Sequence, residues 1–190
     1  MYYPYGYHYQ YPTYQNVPVP QYGGMQNYMQ YPTGVNPISP YNWHGDPTSN
    51  QDMTLKDYGK KPFVINIEDA TKRNNTYRTA LWTGKHLQLT LMSINPGEDI
   101  GLEVHPHVDQ FIRIEQGQGI TQMGKTKDQL NFNQRVFENS AIFVPAGTWH
   151  NVTNTGHIPL KLYTIYAPPN HPFGTVQPTK ASANAAEPRS

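Results

Sequence analysis

The chain has 190 residues, a formal net charge of +1 and no cysteine. A charge so near zero offers no electrostatic attraction to nucleic acid or an anionic membrane, and without thiols any metal must be held by N and O ligands. No apolar run approaches the roughly 18 residues of a membrane span, and the opening Met1-Tyr2-Tyr3-Pro4-Tyr5-Gly6 has neither the basic start nor the apolar stretch of a secretory signal. The expectation is a cytoplasmic protein with no nucleic-acid and no membrane partner.

Residues 1–55 read as a Tyr/Pro/Gln-rich tail. The first 50 residues hold 11 of the 15 tyrosines and 8 of the 18 prolines, with Asp46 as their one charged residue. With branched aliphatics nearly absent, such a segment buries too little apolar surface to offset the entropy of ordering, so a disordered tail is expected. Its aromatic side chains suit stacking on other Tyr-rich chains. The composition resembles that of spore-coat proteins, so recruitment to a protein assembly, with a spore coat or similar layer as location, stands as the alternative. Residues 56–175 have the composition of a folded domain, and residues 176–190, small and polar, read as a flexible C-terminal tail.

Within the domain, Phe63–Ile67 is the first strand candidate, followed by a helical turn or two near Glu68–Arg73. Leu87, Leu89 and Leu91 alternate with His86, Gln88 and Thr90. Gln110, Ile112 and Ile114 share one face of a strand, with Phe111, Arg113 and Glu115 on the other. Shorter runs follow at Ile120–Met123, Phe132–Phe137 and Ala141–Val144, and Leu160 and Leu162 alternate with Lys161 and Tyr163. Turn residues punctuate them at Asn95-Pro96-Gly97, Gly117-Gln118-Gly119, Gly124-Lys125, Pro145-Ala146-Gly147 and Asn154-Thr155-Gly156. Many short strands without intervening helices predict an all-β sandwich or small barrel, whose mouth suits a small ligand.

Two segments of this β region carry side chains that can ligate a metal. In the first, Gly97 is followed after five residues by Glu103, then by His105, by Gln110 after four more, and by Gly117 after six. The second places Asn139, Pro145, Gly147, His150 and Asn154 at intervals of five, one, two and three intervening residues. Residues two apart on a strand point to the same face, so Glu103 and His105 can both face inward. These two spacings resemble the paired motifs of the cupin family, over residues 85–168. The resemblance implies a jelly-roll barrel of two antiparallel sheets, a homodimer, and a mononuclear divalent metal. In the family's usual pattern Glu103 would be His, Gln110 would be Glu and Asn139 would be Gly.

The departures shift the only carboxylate of the set to Glu103 and leave Gln110 as a neutral amide. Two imidazoles, one carboxylate and one amide suit Mn, Fe, Ni, Co or Zn. His107, paired with His105 across Pro106, is the alternative ligand, although Pro106 belongs where the chain turns. His150 can equally be a buried histidine bonded to a carbonyl, and Gln110 an amide that only bridges strands. An inward Glu103, by contrast, is costly without a metal or cation. His86, Tyr163, Tyr166 and His171 are candidates for proton transfer or substrate contact. Trp149 is expected on the outer face or against a dimer partner, and Asn154 as a structural residue closing its turn.

The functional expectation is a metal-binding protein acting on or binding a small oxygenated molecule, a sugar or organic acid. The family resemblance admits isomerase, decarboxylase or dioxygenase chemistry. The alternative is a non-catalytic ligand-binding or structural barrel recruited by its tail.

Overall fold

The structure, a computed structural model, describes residues 54–186; the Tyr-rich tail lies outside them apart from residues 54 and 55. Its elements are α1 (Ile67–Arg73), β1 (Arg78–Thr83), β2 (Gln88–Ile94), β3 (Asp109–Gln116), β4 (Gln118–Gly124), β5 (Phe132–Phe137), β6 (Ala141–Val144), β7 (Trp149–Asn154), β8 (Leu160–Ala167), β9 (Val176–Gln177) and α2 (Lys180–Ala186). The strands form two antiparallel sheets, ordered β6-β3-β8-β2-β1-β9 and β5-β4-β7. This is the expected all-β architecture.

The strand alternation explains the core. Ile112 and Ile114 of β3, Leu160 and Leu162 of β8, and Val152 of β7 are buried with Met92, Ile94, Val136, Ile142 and Val144 in one cluster. Each such aliphatic side chain contributes about 1.5–3 kcal/mol of transfer free energy when fully buried. The large sheet is covered on its other face too. There Leu81, Leu91 and Ala70 pack beneath Leu55, Tyr58, Phe63, Ile65 and Ile67. The leucine face of β2 therefore serves this outer cluster, while Gln88 and Thr90, both fully buried, belong to the opposite face.

Phe63–Ile67 is not a strand. Phe63 and Ile65 cover the outer cluster while Asn66 caps α1, its side-chain oxygen accepting from Asp69 N at 3.1 Å. Strand β1 escapes periodicity reasoning because a register shift between Ala80 and Trp82 breaks its alternation, and Arg78, Thr79 and Thr83 are buried although polar. Residues 176–186, expected to fray, instead form β9 and α2. Backbone pairing of Arg78 with Gln177, the buried side-chain bond between the same residues, and Ala183 in the core anchor them. Asn139 takes φ +70, the left-handed conformation that makes it an acceptable stand-in for glycine, and Gly117 and Gly147 take φ +89 and +76.

Candidate metal centre

Two strand ends and one irregular segment meet at the site. The turn at Pro145–Thr148 is tied to the opposite segment by Gly147 N donating to His105 O at 2.8 Å. Beyond it, Glu103 and His150 exchange both backbone hydrogen bonds, Glu103 N to His150 O at 3.0 Å and His150 N to Glu103 O at 2.9 Å. This two-residue bridge places the distant sequence segments side by side. Glu103 lies on an isolated bridge and His105 on irregular chain just before the turn at Pro106–His107, yet both reach the same point.

Glu103, His105 and His150 each present one donor atom, all within 4.8 Å of one another. His105 Nε2 and His150 Nε2 both lie 3.3 Å from Glu103 Oε1. Donors held about 2.0–2.2 Å from one ion sit roughly 3.0–3.5 Å apart, so these separations fit a shared metal. His150 is fully buried and its Nδ1 contacts Thr148 O at 3.0 Å. A carbonyl only accepts, so Nδ1 carries a proton and Nε2 is left for a cation. Bonding to a carbonyl and offering a ligand atom are thus compatible in one residue. Burial alone would push the Glu103 carboxyl up, but hydrogen bonding and charge from His105 and His150 outweigh it and hold the group down at about 2.

Gln110 is buried on β3, next to β8. Its Nε2 donates to Thr164 Oγ1 at 3.0 Å, which orients the amide, and its Oε1 is buried without a hydrogen-bond partner. His105 Nε2 and His150 Nε2 are buried as well, each 3.3 Å from Glu103 Oε1 and with no other hydrogen-bond partner. Buried polar atoms of native proteins are normally satisfied. A carboxylate oxygen flanked by two imidazole Nε2 atoms, with no other polar partner for them among the described residues, is a donor set that fits a cation. His107 is exposed in the turn and takes no part in the cluster.

The triad opens onto a cleft of about 750 Å³ lined by Glu103, His105, Trp149, His171, Thr175 and Gln177, among others. Trp149 therefore contributes to this cleft as well as to β7. A second recess, about 700 Å³ and mostly apolar, lies by Phe132, Val136, Ile142 and Phe143 and contains none of the triad. Of the acid–base candidates, His86 is exposed and Tyr163 packs in the outer cluster beside Phe111. Tyr166 and His171 do reach the site. The Tyr166 ring lies 5.7 Å from His105 and 5.0 Å from His171, edge-on to both. Burial pushes its phenol up to about 12, so it remains protonated.

His171 is held neutral. Burial first, then the positive charge of Arg78, lowers it from 6.5 to about 3, with Glu103 opposing and His105 assisting. Its loop is pinned by Gln88, whose Oε1 accepts from His171 N at 2.9 Å and whose Nε2 donates to His171 O at 2.9 Å. The unfolded chain takes up a proton at this residue below pH 6.5 that the folded chain refuses until about pH 3. Stability of metal-free protein should therefore fall with pH across that window, and His171→Gln should flatten the slope. Urea midpoints measured from pH 7 to pH 4 check this, and parallel profiles for the two proteins would refute it. Sequence reasoning did not find Arg78 or Gln177: neither sits in a motif, and it is the β1–β9 pairing that sets Arg78 behind Gln177, which lines the cleft.

A two-sheet β domain with a His₂/carboxylate cluster facing a polar cleft defines a class of small-ligand or metal-binding barrel. Comparison with known proteins makes the assignment specific. The Cupin domain family model matches residues 90–166. The chain is 72% identical over 138 residues to YrkC of Bacillus subtilis (strain 168), covering 73% of this chain and 74% of that protein. It is 45% identical over 115 residues to a protein of Acanthamoeba polyphaga mimivirus, covering 60% and 70%. A crystal structure of BH2720 from Bacillus halodurans, 65% identical, superposes with a TM-score of 0.69 over 70% of this chain and 100% of that one. The chain belongs to the cupin family. Among the described residues no helix is long and apolar enough to cross a membrane.

Proposed function

We propose that this cupin binds one divalent metal ion through Glu103, His105, Gln110 and His150 and uses the site to bind or transform a small oxygenated molecule. The observation that carries the reading is the convergence of His105 Nε2 and His150 Nε2 on Glu103 Oε1, 3.3 Å from each, and the buried, unbonded Oε1 of Gln110 supports adding that residue to the set. When bound, the metal would supply Lewis-acid polarisation of a carbonyl or hydroxyl oxygen. The residues divide the remaining work. Glu103 brings the single negative charge, while Thr148 O and Thr164 Oγ1 fix the His150 ring and the Gln110 amide. Tyr166, a neutral phenol, is available only as a proton donor in a hydrogen bond near neutral pH, and His171, a neutral imidazole, offers a hydrogen-bonding ring nitrogen rather than a base.

Elemental analysis of protein purified without added chelator tests the reading. Close to one divalent metal per chain is expected, with His150→Ala retaining almost none. A wild-type protein that carries no metal and takes up none from Mn, Fe, Ni, Co or Zn salts would exclude it.

A further inference from the structure

Beside the triad the cleft has a second polar end, built from residues the metal does not need. Arg78 is 1% exposed, and its Nη1 donates to Gln177 Oε1 at 2.7 Å. A guanidinium only donates, so this bond fixes the flip of the Gln177 amide and leaves its NH₂ group for other partners. Gln177 and His171 both line the cleft with Glu103 and His105. His171 Nε2 is buried without a hydrogen-bond partner. Among the described residues lining the cleft, Glu103 is the only carboxylate. A divalent ion would exceed the single negative charge of Glu103, and an anionic ligand would offset the remainder.

We propose that the cleft takes a small carboxylate, its anionic end received by Gln177, His171 and the field of Arg78, and its other oxygen directed to the triad. The substrate class is thus an organic acid bearing a second oxygen, such as a 2-hydroxy or 2-oxo acid, rather than a neutral sugar. The placing of the second oxygen rests on the metal reading above; the capture of the carboxylate does not. Trp149 supplies the cleft with an apolar wall for the carbon chain of such an acid.

The test uses lactate and lactamide, which share a shape and differ in charge. Binding of each is titrated calorimetrically into full-length protein at pH 7.5, metal-loaded and chelator-treated. Lactate is expected to bind at least 10-fold more tightly than lactamide in the loaded protein, with a smaller preference kept after chelation. Gln177→Leu and His171→Phe should each cut the preference several-fold, and Arg78→Met should abolish it. Should Arg78→Met not fold, the other two variants decide. Equal binding of the two ligands, binding of neither, or a preference unchanged in Gln177→Leu and His171→Phe would overturn the proposal. If metal analysis shows no metal, the metal reading fails by itself. The carboxylate subsite is then judged on chelator-treated protein, where a lactate preference sensitive to these variants supports it and its absence overturns it.

Discussion

Glu103→Gln is expected to weaken divalent-metal binding by more than about 100-fold. Residues that merely orient metal ligands are commonly worth about 10- to 100-fold, and in the proposed site Glu103 is a direct donor and carries all the negative charge of the set. With Gln at this position, two neutral imidazoles and two amides would have to hold a dication. The converse change sharpens the argument. Gln110→Glu adds a second carboxylate at the buried Oε1 position and should tighten binding. It should also destabilise the metal-free protein, because it buries a carboxylate with no cation to offset it. Competition titration against a chromophoric chelator gives the affinities, and urea unfolding with and without chelator gives the stabilities. Unaltered affinity in Glu103→Gln would show that the carboxylate is a structural partner of the two histidines and not a ligand.

The site and the fold were legible in the sequence to different degrees. Glu103, His105 and His150 could be picked out because the spacing within each of their two segments is local, and the resemblance to paired motifs joins the segments that the Glu103–His150 bridge sets side by side. Pro145 and Gly147 mark the turn, and alternation fixes the faces of β3 and β7. The demotion of His107 follows from the same local logic, since Pro106 ends the extended chain and His107 lies exposed in the turn. What escaped was long-range or polar. Arg78 and Gln88 are almost fully buried, and binary patterning assigns such residues to solvent. Their reasons for being inside are a strand from the far end of the domain (Gln177) and the loop carrying His171. The same blindness made residues 176–186 look expendable. Their few apolar atoms are small, and their order comes from pairing with β1 and from Ala183 reaching the core.

Asn154→Ala should cost about 3 kcal/mol of folding stability and leave metal content per folded chain unchanged. Asn154 is 1% exposed and makes three side-chain hydrogen bonds. Its Nδ2 donates to Ile94 O at 2.9 Å and Ile158 O at 2.8 Å, and its Oδ1 accepts from Gly156 N at 2.8 Å. It thereby ties the end of β2 to the loop between β7 and β8, with its backbone bonded to Glu98 and Gly97 as well. Alanine strands two carbonyls, each worth about 1–3 kcal/mol when a buried polar group loses its partner, less what water recovers at the partly buried loop side. Aspartate should be worse than alanine. It can restore the bond to Gly156 N, but it sets a carboxylate against two carbonyl oxygens, so the stability order Asn, Ala, Asp is expected. Urea midpoints falling in that order, with the slope of unfolding preserved, would confirm it. A midpoint for Asn154→Ala equal to that of the wild type would show that the turn holds without this side chain. The triad should be indifferent, because His150 is held by its exchange of backbone bonds with Glu103 and by Thr148 O, none of which passes through Asn154. Two residues of one motif, four positions apart, thus answer to different measurements: one to metal content and the other to unfolding.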